Sequence, residues 1–152
     1  MSKTEIVSQL RSASDALTAI VRQIRPEEWP LATDYQNLSF HDLLNYTMAY
    51  YELTGNWYLQ SLRMEPALNT VAIEAEALLY VSRRRERTVQ ADLADFIAAK
   101  QNLLILLDMA QEAQLLENST GRPREQQFVD LLHIVTAVSQ HLQASLNKVR
   151  PS

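Results

Sequence analysis

Apolar residues return at spacings of three and four along most of this 152-residue chain, the period of helices rather than of sheets. Ile6, Leu10, Ala13, Leu17, Ile20 and Ile24 form a first stripe. Leu43, Tyr46, Tyr50, Leu53 and Trp57 form a second, which Leu44, Tyr51, Tyr58 and Leu62 widen until the helix should be the most buried of all. Leu93, Phe96, Ile97, Leu103, Leu104 and Leu107 mark a third, and Phe128, Leu131, Val135, Val138, Leu142 and Val149 a fourth. Only two glycines and five prolines interrupt the chain, too few for the turns of a sheet protein and enough for a few long helices. The expected fold is all-α, a four-helix bundle with a long connection between helices two and three, in a single domain over residues 1–152.

Local signals set the expected boundaries. Ser2 with Glu5 makes a capping box for the first helix, and Pro26 marks its end. A loop with Trp29, Pro30 and Asp34 follows. Ser39 opens the second helix, with Asp42 favouring the free amides of its first turn, and Pro66 closes it. Gly55 inside that helix costs about 1 kcal/mol against alanine, which a close helix contact would explain. Residues 67–87 predict a shorter helix within the connection, Thr88 an N-cap for the third helix, Glu117–Pro123 a loop, and Pro123 the start of the fourth helix.

Composition excludes several classes of function. Apolar residues at 47% and charged residues at 21% argue against disorder, and no run of about 18 uncharged apolar residues predicts a transmembrane helix. The first residues, MSKTEIVSQLRS, lack the apolar core of a signal peptide, so the sequon at Asn118 carries no implication of glycosylation. The absence of cysteine fits a cytoplasmic protein and removes thiolate catalysis, disulfides and cysteine-ligated zinc. A net charge of −4 argues against nucleic acid as a partner, and the basic run Arg83–Arg87 reads as solvated surface. There is no glycine-rich phosphate loop, nucleophile elbow or HExxH motif.

The three histidines are the remaining candidates for chemistry. His133 and His141 lie eight residues apart, which on a helix means about 80° and 12 Å, whereas zinc ligands stand about 2.0–2.2 Å from the metal. The two cannot share an ion, and Ala137 between them offers no ligand. Asp130 and His133 have the carboxylate-x-x-His spacing of di-iron bundles, but such sites need a second copy, and the pair reads as solvated. His41, in the first turn of helix two, reads as a surface or loop-packing residue, and His141 as a hydrogen-bonded histidine at the core edge. Tyr46, Tyr50, Tyr51 and Tyr58 read as core, though buried phenols need partners and could line a partly polar cavity.

Four pieces in order, "IRPEEW", "LSFHDLLNYTMAYYELTGNWYLQSL", "TVQADLADFIAAKQNLLILLDMA" and "FVDLLHIVTAVSQHLQASLNKV", make up half of the chain and together span residues 24–149. Together they resemble the DinB/YfiT-like superfamily of bacterial four-helix bundles. The resemblance implies a divalent metal, often zinc or nickel, held by one histidine from helix two and a His-x-x-x-His pair from the last helix. It also implies, in some relatives, thiol-dependent transfer or isomerisation with bacillithiol or mycothiol. On this chain the three positions fall on Tyr46, Ala137 and His141, and only His141 keeps the ligand type. Sliding the pair by one turn, to His133 and Ala137, still leaves one histidine. His41 would have to substitute from five residues earlier, about 140° away round the helix.

The expected function is therefore that of a DinB-like domain that has lost its metal site and binds a small molecule or a protein through a pocket at Tyr46, Ala137 and His141. His41, Tyr50 and His133 are lesser candidate contributors. No cofactor is expected. The alternative is a metal-assisted thiol-dependent transferase, holding zinc or nickel weakly through a non-standard ligand set. A homodimer is the starting expectation for the assembly, because two-fold dimers are common; the broad apolar face of helix two is compatible with a second copy and also suits a central bundle helix.

Overall fold

The computed structural model describes residues 1–63, 70–119 and 122–150 of the chain. Among them are six helices: α1 (Lys3–Val21), α2 (Phe40–Leu62), α3 (Thr70–Arg83), α4 (Val89–Met109), α5 (Glu112–Leu116) and α6 (Glu125–Val149). A two-residue antiparallel ladder, β1 (Asn118–Ser119) with β2 (Arg122–Pro123), lies between α5 and α6.

The caps stand where the sequence predicts them. The hydroxyl of Ser2 accepts from the Glu5 N–H, that of Ser39 from Asp42 and that of Thr88 from Ala91, each satisfying an amide that a first turn leaves free. Pro66 lies outside the described residues. Two boundaries and one short helix differ from expectation. α1 stops at Val21, and Ile24 reaches the core from the following turn, because Pro26 disfavours helix in the residues before it. Pro123 pairs in β2 and α6 starts two residues later, with Val149 exposed at its far end. α5 had no periodic signal, being too short for one.

Four helices close a ring: α1 packs on α6 and α4, and α2 packs on α6 and α4. Cross-links show their directions. Tyr51 reaches Ser14, Lys100 reaches Thr18, Ser61 meets Arg124, and the end of α6 returns to Gln23 beside the end of α1. α1 and α6 therefore run parallel, and α2 and α4 run parallel to each other in the opposite sense. A parallel pair cannot be joined by a tight turn, so the long connection carries α3, which packs on the outer side of α2. With neighbours on three sides, α2 buries every residue from Leu43 to Tyr51.

Candidate functional site

The positions of interest gather where the α1–α2 loop meets α6. Its turn is built by Thr33, whose hydroxyl accepts from the Tyr35 N–H and donates to the Leu38 carbonyl, while its own N–H also donates to that carbonyl at 2.8 Å. Gln36 and Asn37 close the turn with left-handed φ values of 51° and 57°. Asn tolerates that region and Gln does so at some cost in backbone strain, which the surrounding hydrogen bonds hold in place.

This turn aims Asp34 and Tyr35 at α6. The Asp34 carboxylate contacts His141 Nδ1 at 2.9 Å, Ser145 donates to the same oxygen at 3.2 Å, and the Asp34 N–H donates back to Ser145 at 3.1 Å. Lys148 stands 3.7 Å from the other oxygen. The hydrogen bond with His141 holds the Asp34 carboxyl below the usual carboxylate range, against a smaller opposing effect of burial. Tyr35 lies edge-on to the His141 imidazole, ring centres 5.1 Å apart, and 5.6 Å from the ring of Tyr46. From there a chain of phenols enters the bundle: Tyr35 donates to Tyr46, and Tyr46 to Tyr50, each at 3.4 Å. Burial, with both neighbouring hydroxyls, pushes Tyr46 far above the usual phenol range, and burial also raises Tyr50, beside the carboxylates of Glu74 and Asp130.

Tyr46, Tyr50 and His141 are thus brought together through Tyr35, and half-buried Ala137 lies one turn before His141 on α6. His133 is exposed on the same helix, and Asp130 accepts from Gln126. His41 turns elsewhere, as its 140° offset requires: it packs edge-on to Trp29 and meets the Asp92 carboxylate of α4 at 2.7 Å.

That contact belongs to a cluster that periodicity alone passes over. Asp92 is fully buried and also accepts from Asn45, Arg84 and Arg87. Arg84 and Arg87 continue to Asp95, and the Arg84 guanidinium stacks over the Tyr80 ring. The expectation that Arg83–Arg87 is simply solvated is corrected here: Arg84 is 85% withdrawn from solvent on its side chain, because a charge at the α3–α4 junction can fold back onto α4. Gly55 also departs from expectation. A Cβ there would meet Leu106 and Leu103 at 3.5 and 3.6 Å, ordinary contact distances, so no close helix approach requires glycine.

The site residues do not fit a metal. His141 is the one imidazole, its Nδ1 faces a carboxylate, and the neighbouring phenols are harder, not easier, to ionise. Among the described residues no three His, Asp or Glu side chains converge as ligands. No step through a metal follows from this geometry.

The architecture is that of the helical bundles of DinB/YfiT-like fold type. In particular, the chain superposes on the colibactin self-resistance protein ClbS in complex with a dsDNA, with a TM-score of 0.79, 18% identity and 98% of each chain covered. An uncharacterised protein from Escherichia coli UTI89 gives a TM-score of 0.85 at 14% identity, over 99% of this chain and 96% of that one. DfsB, a sibling lethal factor precursor, gives 0.83 at 11% identity, over 100% and 99%. No family model matches the chain, and no curated protein matches it. The ClbS complex overturns the expectation that nucleic acid is excluded as a partner: a protein of this fold is crystallised on a duplex. Net charge is a sum over the whole surface, whereas phosphate contacts depend on where the basic residues lie. No described helix is long and apolar enough to cross a membrane.

Proposed function

We propose that the chain is a DinB/YfiT-like domain, spanning residues 1–152, whose metal centre has been replaced by a hydrogen-bonded side-chain assembly, and that it works in the cytoplasm by binding a small molecule. The observation that carries the loss of the metal centre is the pairing of His141 with Asp34 at 2.9 Å, with Tyr46 and Ala137 at the two other positions where the family resemblance would put ligands. One neutral imidazole is too little to hold zinc tightly. The strained turn that delivers Asp34 supports the same reading, since its cost is met by contacts to His141 and Ser145.

Protein purified from cells grown with added zinc and nickel is expected to carry well under one metal per chain by elemental analysis. One tightly held zinc or nickel per chain overturns the proposal. Metal-dependent thiol transfer that vanishes in His141→Ala would establish the transferase alternative instead. The broad face of helix two that would have suited a second copy is covered by α3, α4 and α6 of the same chain, and light scattering separates a homodimer from a monomer.

The dsDNA in the ClbS complex supports a second reading, duplex binding. It requires a mobility shift with a short duplex at low salt that weakens steeply as salt rises.

A further inference from the structure

A groove of about 420 Å³ lies between the parallel helices α2 and α4, away from the tyrosine–histidine assembly. Its floor is Tyr51, Gly55, Ala99 and Leu103, with Leu59 and Leu106 at one end. Its polar lining is Glu52, Asn56, Asp95 and Asn102, two carboxylates and two carboxamides, with no basic residue among the lining side chains. That volume and mixture of apolar floor and few polar groups lie in the range of small-molecule sites.

Gly55 shows that the groove is kept open at a cost. Glycine is a poor choice inside a helix, and here no packing clash demands it, since an added Cβ would make ordinary contacts with Leu103 and Leu106. What the missing methyl does provide is depth in the floor between those two leucines. The charge of the lining then selects the ligand. Asp95 shares one oxygen between Arg84 and Arg87, which offset its charge, so Glu52 is the carboxylate that gives the groove its negative character; burial, with Glu52 beside it, raises the Tyr80 phenol to about 12.

Building on the reading of the chain as a small-molecule-binding domain, we propose that the α2–α4 groove is the binding site and that it takes an amphipathic cation, an aryl or alkyl ammonium compound. The apolar body lies over Gly55, Ala99 and Leu103, and the ammonium group donates to Glu52 and to the carboxamide oxygens of Asn56 or Asn102.

The test is an NMR titration of the full chain, labelled with ¹⁵N, using 4-phenylbutylammonium and the oppositely charged 4-phenylbutyrate. The ammonium compound is expected to shift the amides of Gly55, Asn56 and Asn102, and 4-phenylbutyrate to bind at least ten-fold more weakly. Glu52→Gln should weaken the ammonium compound several-fold, and Gly55→Leu should abolish its binding. Gly55→Ala, which the contact distances accommodate, serves as the milder fill and should give an intermediate loss if Gly55→Leu does not fold. Shifts outside the groove only, equal binding of the two probes, or unchanged binding in Glu52→Gln and Gly55→Ala would overturn the proposal. Those outcomes leave the metal content unaffected, so the groove and the loss of the metal centre fail separately.

Discussion

Asp92 takes hydrogen bonds from His41, Asn45, Arg84 and Arg87 while wholly removed from water. Burial alone would raise its pKa, but the bonds from Asn45, His41 and Arg84 together outweigh burial and leave it lowered. Removing this carboxylate leaves Arg84 mostly buried with Asp95 as its remaining carboxylate partner. Asp92→Ala is therefore expected to destabilise the fold by about 3–5 kcal/mol, the range for breaking a buried ion pair, read from the urea midpoint. A midpoint unchanged within error would mean that the cluster is solvated after all. In sequence the cluster appears only as opposite charges on either side of Thr88, and nothing there says which arginines fold back. Asp34 is equally hidden, being one loop residue among several until the turn at Gln36 and Asn37 aims it at His141.

Helices carry their own signals, and these were largely legible. The hydroxyls of Ser2, Ser39 and Thr88 cap as their spacing predicts, and the second stripe belongs to the most buried helix because α2 is covered by α3, α4 and α6. Local rules were less informative where an element is short or a residue breaks a preference. α5 spans five residues and leaves no periodic trace. Gly55 breaks helix propensity with no steric cause, so Gly55→Ala is expected to raise stability by about 1 kcal/mol, seen as a higher Tm in a thermal melt. A lower Tm would show that the leucines of α4 sit tighter on α2 than their 3.5 and 3.6 Å distances indicate.

The whole bundle is tied at one end by Arg150, which grips both oxygens of Glu28 at 2.9 Å and the Gln23 carbonyl at 2.6 Å. The bond from Arg150 lowers the Glu28 carboxyl from 4.5 to about 2. A carboxyl whose pKa is lower in the folded state favours folding fully above its unfolded value, and that contribution is lost as pH falls through the folded one. Stability against urea is therefore expected to hold above about pH 5 and to fall between about pH 4.5 and 2, with Asp34 and Asp92 adding in the same direction. Glu28→Gln should flatten part of that slope. A profile that is equally steep in the variant would remove Glu28 from the account. By itself the sequence determined the all-α class, the number of long helices and most of their caps, because periodicity and capping act over a few neighbouring residues. Only the tertiary structure decided the parallel pairing of α2 with α4, the groove between them, the burial of Asp92 and the meeting of Asp34 with His141. Those contacts join residues 47 to 107 positions apart, and their energies depend on burial that no local pattern records.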